Sequence, residues 1–306
     1  MALSSVWHYT NGAGFHGLVT KHVLWATSFR HLNDSHEADY ATTVLRKAAQ
    51  DLRPSIPSAA QARFDQLMSA AERRGLNLFL LCAARKTNLL TVWRGYGGEV
   101  SYAVELDATV PLLPVERVAG DVHPFPPAGH EVEFDEHEGG RFVVSDPDSV
   151  LIESAGWLAV RYDTAGVEKR VQRMGDLAVR SPNTAADILG PWINLRDIKL
   201  LQLKNPDFKD EREARMIFEV LPRWKFVHHR DGRFGVTPYI QVSAESETTK
   251  ANRLDNFLPE PGRLPIRSVM IGPTPLGQEI IDSTKEFLEF NGYPDVEVTK
   301  SEIPYR

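Results

Sequence analysis

The sequence predicts an α+β fold in a single domain, because segments with strand-like and helix-like periodicity are mixed along the whole chain. A length of 306 residues suits one large domain or two small ones. The Pro-, Gly- and acid-rich stretch at about 111–148 is typical of an irregular insertion rather than a linker. We therefore expect one domain, residues 1–306, that contains this insertion.

The first forty residues predict a compact strand–helix–strand unit. Strands are expected at Ser5–Thr10 and Val23–Ser28, and Asn11 is placed to cap a short helix over Gly14–Lys21. The next expected elements are two amphipathic helices, near His36–Leu52 and Ser58–Arg74.

The middle of the chain is rich in predicted strands. A nearly continuous apolar run indicates a buried strand at Leu76–Ala84. Other strands are expected at Leu89–Trp93, Val100–Leu106 and Leu151–Tyr162, and a helix near Thr184–Asp197.

The last third alternates between strands, a hairpin and a helix. The expected elements are a strand at Arg215–Leu221, a hairpin of Lys225–His229 and Gly235–Val242, a strand at Ile266–Ile271, a helix at Leu276–Asn291 and a strand at Val296–Val298. Asp231-Gly232 supplies the hairpin turn, and Gly292 ends the helix.

The composition excludes several classes of protein. With 35 Lys+Arg, 41 Asp+Glu and a formal charge of -6, the chain has no global basic surface for nucleic acid, although a local basic patch stays open. Cys82 is the only cysteine, which excludes a disulfide framework and Cys-rich metal sites. There is no signal-peptide pattern and no apolar stretch near the roughly 20 residues of a membrane span, so a cytoplasmic protein without membrane partners is expected.

The first candidate site is the strand that contains His8, Tyr9 and Thr10. His8 and Thr10 share one face of this strand, and Trp7 and Tyr9 share the other. A histidine and a hydroxyl on one face can hydrogen-bond a sugar or an amide. The alternative is that His8 is a satisfied, partly buried histidine.

The second candidate is the segment with Asn33, Asp34 and Glu37. Its carboxylates could act as acids or polar anchors, but Asn, Asp and Ser are also the residues that ordinary helix caps select. The spacing with His31 and His36 matches no zinc signature, so no metal site is predicted.

The third candidate is the glycine-containing segment with Trp93, Arg94 and Tyr96. Glycines let the backbone approach a ligand, and Arg94 could bind a phosphate or carboxylate. The alternative is a glycine hairpin whose aromatic residues seal a core.

The fourth candidate is the charged run that ends in Glu211, Glu213 and Arg215. These three side chains share one face if a strand begins there, and paired carboxylates can stabilise a cationic transition state. A solvated charge run at a strand edge is the alternative.

Taken together, these segments resemble a bacterial group described as domain of unknown function family twenty-nine seventy-one. The resemblance rests on the His-Tyr-Thr start with Leu24-Trp25, Asn-Asp-x-x-Glu at Asn33, Trp-x-x-Tyr-Gly at Trp93, Glu-x-Glu-x-Arg at Glu211, Ile-Gly-Pro at Ile271, Asn-Gly-Tyr at Asn291 and Glu-Ile-Pro-Tyr-Arg at Glu302. It spans nearly the whole chain.

More loosely, the His-x-Thr strand and the late glutamate at a strand entrance look like the NAD-binding motif and the catalytic glutamate of ADP-ribosyltransferases. This resemblance implies a split, mixed, largely antiparallel sheet with flanking helices, and NAD as co-substrate. It implies a transferase of the bacterial cytosol, in a defence or toxin role, with an unknown protein or nucleic acid acceptor.

The same resemblance implies a role for each candidate residue. Glu213 or Glu211 would stabilise the reacting ribose, and His8 and Thr10 would hold the ribose or the nicotinamide amide. The aromatic residue that stacks on nicotinamide would be Tyr9 or Tyr96, and the partner of the pyrophosphate would be Arg94 or Arg30. Arg215 is a further cofactor-binding candidate.

Two other functions stay open at this point. A Mg²⁺-dependent nuclease or phosphodiesterase could use Asp34, Glu37, Glu211 and Glu213. A non-catalytic sensing or interaction domain would use the charged motifs only to organise its fold.

Overall fold

The computed structural model describes residues 3–32, 37–72, 77–96, 100–117, 132–134, 142–144, 150–180, 198–232, 235–248 and 256–304. Within these residues the strands are β1 Ser5–Asn11, β2 Leu24–Ser28, β3 Leu78–Ala84, β4 Ser101–Asp107, β5 Leu112–Pro114, β6 Val132–Phe134, β7 Phe142–Val144, β8 Leu151–Ala159, β9 Glu213–Leu221, β10 Val227–Arg230, β11 Thr237–Ala244, β12 Ile266–Ile271 and β13 Glu297–Lys300. The helices are α1 Gly12–Lys21, α2 Glu37–Leu52, α3 Ser58–Glu72, α4 Leu90–Tyr96, α5 Ala165–Arg180, α6 Ile198–Leu201, α7 Arg223–Phe226 and α8 Gln278–Phe290.

The main sheet confirms the predicted α+β class with a largely antiparallel, mixed sheet and flanking helices. Its strand order is β10-β11-β2-β3-β1-β4-β12-β13, with β9 and β8 beyond β3 and with β5 beside β11. The pair β12–β13 is parallel, and the other described strand pairs are antiparallel.

The sheet divides at one edge of β3, which we call the fork. All seven residues of β3 pair with β9 on one edge. On the other edge, Ala84 pairs with Trp7 of β1, whereas Leu80 and Phe79 pair with the end of β2. The first limb of the fork is β1-β4-β12-β13, and the second limb is β2-β11-β10 with β5. Helix α1 connects the two limbs.

The two faces of the sheet are covered differently. The core face carries Val6, Phe79 and Phe218, which belong to the largest hydrophobic cluster, and α1 and α8 pack there. The opposite face, here called the outer face, carries Trp7, Ala84 and Glu213, which lie side by side because opposite residues of paired strands share a face. Over the centre of the outer face, Leu201 of α6 packs on Leu80 and Ile217, and α2, α3 and α5 pack around α6.

One predicted strand is wrong. Leu89–Trp93 was expected to be a strand, but the chain there forms α4, in which the carbonyl oxygen of Leu89 accepts hydrogen bonds from the backbone N–H groups of Val92 and Trp93. The reason is the spacing of three and four between Leu89, Val92 and Trp93, which places all three on one helix face against β1 and β4.

Two other differences concern the middle of the chain. Helix α5 was not predicted, although Val167, Val171, Met174 and Ala178 recur at helical spacing and are buried. Leu112–Pro114 pairs with β11, so the first residues of the expected insertion belong to the main sheet, and β6 and β7 form a separate two-stranded sheet within it. The helix expected near Thr184–Asp197 lies outside the described residues.

Candidate functional site

The register separates the predicted site residues between the two faces of the sheet. Tyr9, Glu213 and Arg215 lie on the outer face, whereas His8 and Thr10 lie on the core face with Val6. The structure therefore does not bring His8 and Glu213 together on one surface, as a single pocket built from both would require.

His8 closes the gap that the fork leaves beside β3. Its Nδ1 donates a hydrogen bond of 3.1 Å to the backbone carbonyl of Cys82, at a position where β1 and β3 are no longer paired. Burial lowers the pKa of His8, and the bond to Cys82 only partly reverses this effect. Thr10 lies next to the first turn of α1, where a Cβ atom added to Gly14 would be 2.0 Å from its Oγ1. Both side chains thus connect β1 to its neighbours.

Tyr9 and Trp93 form a small core under α4. Their rings meet edge to face, with 4.6 Å between centroids, and both side chains are buried. The hydroxyl of Tyr9 accepts a hydrogen bond from the backbone N–H of Leu89, and Nε1 of Trp93 donates to Asn88. For Trp93, this is the core-sealing role that the sequence offered as the alternative, although on a helix rather than a hairpin.

The remaining candidates are spread along the surface or lie outside the description. Arg94 is exposed on α4, and Arg30 is exposed in a 3-10 helix over Phe29–His31 that follows β2. Asn33 and Asp34 lie outside the described residues, as do the side chains of Glu37 and Tyr96, whose backbones begin α2 and end α4.

The fourth candidate segment forms a compact ion cluster at the start of β9. Lys204 lies between the two glutamates, with its Nζ 2.7 Å from Oε2 of Glu211 and 2.7 Å from Oε2 of Glu213. Arg215 donates from Nε to Oε1 of Glu213 at 2.6 Å and from Nη2 to Oε2 at 3.0 Å. Its Nη1 donates to the carbonyl of Leu201, which ties the cluster to α6.

Local backbone structure places the two glutamates at different depths. Glu211 ends a 3-10 helix over Pro206–Glu211, which Asn205 caps by accepting from the N–H of Asp207. Arg212 then adopts a left-handed conformation, with φ of 50°, and the chain turns into β9. As a result Glu213 enters the sheet, while Glu211 remains at its rim.

Neighbouring charges and burial have opposite effects on the pKa of Glu213. Burial alone would raise the pKa of its carboxyl group, but the charges and hydrogen bonds of Arg215 and Lys204 outweigh burial and lower this pKa to about 2. The hydroxyl of Tyr162, which accepts from the N–H of Glu213, has a pKa that is raised chiefly by burial. Glu213 is therefore an ionised carboxylate whose two oxygens are both hydrogen-bonded.

Glu211 is the more accessible carboxylate of the pair. Its side chain is 23% exposed, against 7% for Glu213. Oε2 is held by Lys204, and Oε1 has no hydrogen-bond partner among the described residues. Helix α4, which carries Arg94, lies against the 3-10 helix of Glu211, and Trp7 lies two strands away from Glu213 on the same face. Glu211 therefore has one carboxylate oxygen for a ligand, beside the helix that carries Arg94.

A second group of polar and aromatic side chains lies on the outer face of the second limb, and sequence reasoning did not identify it as a site. We call Trp25, Thr27, His228, Arg230 and Tyr239 the aromatic patch. The rings of Trp25 and Tyr239 are 4.6 Å apart, and His228 stacks on Tyr239 at 5.3 Å. The signal in the sequence was a tryptophan at an outward position of an alternating strand, between the buried Leu24 and Ala26.

Other arrangements of interest lie away from these residues. A groove of about 280 Å³ between α8 and β13 is lined by Lys285, Glu289, Tyr293, Pro294, Asp295, Val296, Glu297 and Val298, none of which was predicted as a site residue. In the described part of the chain, no three His, Cys, Asp or Glu side chains converge as metal ligands. No helix there is both long and apolar enough to cross a membrane.

Comparison with known proteins adds no further assignment: no family model, curated protein or solved structure matches this chain.

Proposed function

We propose that this protein is an NAD-binding, ADP-ribosyltransferase-like enzyme whose reacting carboxylate is Glu211. The observation that carries the proposal is that Oε1 of the partly exposed Glu211 has no hydrogen-bond partner among the described residues, beside a Glu213 whose two oxygens are both paired. The forked sheet agrees with the split sheet that the resemblance implies. The two glutamates that the sequence could not separate differ in access to a ligand, and only Glu211 has an oxygen to offer.

Transfer of ADP-ribose from NAD requires a negatively charged group close to the ribose. In the transfer, the bond between C1′ and the nicotinamide nitrogen breaks, and its electron pair leaves with nicotinamide. C1′ then bonds to an acceptor nucleophile, which loses a proton. A carboxylate oxygen near C1′ stabilises the positive charge that develops there. Glu211 would supply that oxygen, and Lys204 would hold its other oxygen in place.

The other residues take positioning or binding roles in this proposal. Glu213 and Arg215 fix Lys204 and therefore the orientation of Glu211. Arg94, exposed on the helix next to Glu211, is the candidate partner for the pyrophosphate, whereas Arg30 follows the strand end that pairs with Phe79, at the opposite end of β3 from Glu213. His8, Thr10 and Tyr9 shape the strand from inside, so we propose that they position β1 rather than touch NAD.

A metal-dependent nuclease receives less support from the same geometry. The ammonium group of Lys204 occupies the place between Glu211 and Glu213 where a bridging Mg²⁺ ion would lie. A non-catalytic role is favoured by one observation, since a buried and fully paired Glu213 is also what a purely structural ion cluster requires.

The test is a calorimetric titration with NAD combined with an assay of nicotinamide release. We expect wild type to bind NAD and release nicotinamide slowly. Glu211→Gln should lower the release rate by about 100-fold or more while the melting temperature stays unchanged. The matched control is Asp65→Asn, which removes a carboxylate from an exposed ion pair with Arg53 and should leave release unchanged.

Two results would contradict the proposed enzymatic function. Unchanged nicotinamide release in Glu211→Gln would remove the catalytic assignment. A flat NAD titration with a folded wild-type protein would reduce the whole cluster to a structural role, in which Glu213→Gln lowers the melting temperature and changes nothing else.

A further inference from the structure

The aromatic patch is built across three adjacent strands of the second limb. Thr27 of β2 pairs with Tyr239 of β11, and Tyr239 pairs with His228 of β10, so the three side chains form one row on the outer face. Trp25, two residues before Thr27, lies on the same face. The patch therefore sits on sheet backbone, which positions side chains more rigidly than a loop does.

Trp25 is more exposed to solvent than the other large side chains of the aromatic patch. It is 38% exposed, whereas Tyr239, whose ring contacts it at a tilt of 37°, is buried. A single exposed apolar residue on a surface is common and carries no meaning by itself. Here, however, one exposed indole is supported by an ordered layer of aromatic rings, and its neighbour is a cation.

Arg230 is held over this layer. Its guanidinium carbon is 5.3 Å from the ring centroid of Trp25 and 5.9 Å from that of Tyr239, and Nη2 donates to Oγ1 of Thr27 at 3.1 Å. Among the described residues Arg230 has no ion-pair partner, and its Nε–H has no acceptor. The Nε–H is buried, so the hydrogen-bonding capacity that this pre-oriented guanidinium group keeps for an anion lies on its Nη groups.

A second arginine reinforces the positive potential at the same place. Arg117 donates from Nη1 to the carbonyl of Val227, the first residue of β10, and its charge acts on the Tyr239 hydroxyl together with that of Arg230. Both arginine charges therefore lie close enough to lower the pKa of the Tyr239 hydroxyl, against the larger opposite effect of burial.

The ligand chemistry follows from the combination. A carboxylate would use Arg230 but leave the exposed indole without a partner, and an apolar group would use the indole but not the arginine. A nucleobase with its 5′-phosphate uses both, because bases stack on aromatic rings and phosphate oxygens accept from guanidinium groups.

We propose that the aromatic patch binds a nucleobase on Trp25 and its phosphate on Arg230, as a free nucleotide or as a unit of a single-stranded nucleic acid. This site goes beyond the proposed transferase function, because ligand binding there requires neither Glu211 nor the transfer of ADP-ribose from NAD. It assigns ligand binding to residues that the candidate motifs of the sequence did not include.

The experiment measures binding of AMP, adenosine, inorganic phosphate and a short oligodeoxyadenylate to the full chain by calorimetry. We expect AMP to bind more tightly than adenosine or phosphate. Trp25→Ala should weaken AMP binding roughly 5- to 100-fold, the range for loss of one stacking platform. Arg230→Ala should also weaken AMP binding and should reduce the salt dependence of oligonucleotide binding.

Matched controls separate the patch from general effects of losing a ring or a charge. Phe290→Ala removes an aromatic side chain that is 82% exposed on α8, and Arg267→Ala removes an exposed cation that pairs with Asp107. Both should leave AMP affinity unchanged. Melting temperatures of all variants show whether each one is folded.

The outcomes also distinguish the source of the nucleotide. An oligonucleotide that binds more tightly than AMP and depends on Trp25 identifies a strand as the ligand, and equal affinities identify a free nucleotide. Failure of AMP and oligonucleotide to bind, or binding that neither Trp25→Ala nor Arg230→Ala weakens, overturns the proposal. Nicotinamide release by the same variants is read separately, so either proposal can fail while the other stands.

Discussion

The outer face of the sheet carries two arginine-containing regions, and they differ in what surrounds the arginine. In the ion cluster on β9, Arg215 is 1% exposed and gives two hydrogen bonds to Glu213 and one to Leu201. In the aromatic patch on the second limb, Arg230 is half-buried and rests on rings and one threonine. Helices cover the first region, whereas Trp25 in the second is exposed to solvent.

This difference shows which charged side chains are available to bind a ligand. Once Arg215 and Glu213 have been removed from water, each must keep its partner, because an unpaired buried charge is costly. Such a pair can position a neighbour, but it cannot turn toward a ligand. Arg230 is half-buried, but among the described residues it pairs with no carboxylate, so a ligand can replace the water that remains around it. The predictions below test this contrast in order of decreasing effect.

The largest expected effect is the loss of Arg215. In Arg215→Ala, Glu213 keeps only Lys204 as a partner in a buried site, so the free energy of unfolding should fall by about 3–5 kcal/mol. Urea denaturation measures this change. Arg53→Ala, which breaks the exposed pair with Asp65, should leave the denaturation midpoint nearly unchanged. Similar midpoints for the two variants would contradict a difference based on burial.

The next effect is acid destabilisation through Glu213. Because its pKa is lowered to about 2 in the folded protein, the carboxylate contributes stability that is complete above its unfolded value of about 4.5. That contribution, on the order of 3 kcal/mol, should disappear as the pH falls from about 4.5 to about 2. Denaturation at a series of pH values measures how the free energy of unfolding changes with pH. In Glu213→Gln this change should be smaller than in wild type. A flat profile over this range in wild type would argue against the ion cluster.

A smaller effect is expected at the fork. Burial lowers the pKa of His8, so the unfolded chain takes up a proton there more readily than the folded chain as the pH falls below about 6.5. The free energy of unfolding should therefore decrease between pH 7 and pH 5, and His8→Gln should reduce that decrease. Equal pH dependence in wild type and variant would show that the ring is not buried in its neutral form.

The smallest expected change in stability belongs to Arg230. Arg230→Ala removes a half-buried cation–π contact and one hydrogen bond, so the free energy of unfolding should change by less than about 1 kcal/mol. A loss as large as that of Arg215→Ala would place Arg230 among the structural arginines and would end the contrast between the two regions.

Local sequence signals predicted much of the fold. The apolar run before Arg85 became β3, the Asp231-Gly232 turn joined β10 to β11, and Asn11 caps α1 by accepting from the N–H of Gly14. Where two local signals competed, prediction was less reliable. The apolar residues near Trp93 suggested a strand, but their spacing of three and four decided for a helix.

The site was less predictable, because its geometry depends on non-local pairing. The sequence placed Glu211, Glu213 and Arg215 in one charged run, but it could not show that Lys204 lies between the two glutamates. Nor could it show that His8 would face away from Glu213, since that follows from the pairing of Trp7, Ala84 and Glu213. A one-residue change of register would have reversed this result.

The fork also has a consequence for the order in which the protein can be built during translation. The second limb is complete once the ribosome has released residues up to Ala244. The first limb joins β1, at residues 5–11, to β4, at residues 101–107, and then to β12 and finally β13, at residues 297–300, so β4 must wait for its second partner until far later in synthesis. Contacts of such long sequence separation form slowly. During synthesis, β4 is therefore paired with β1 on one edge, while its other edge stays unpaired until β12 has been made, and a chaperone has reason to protect that edge.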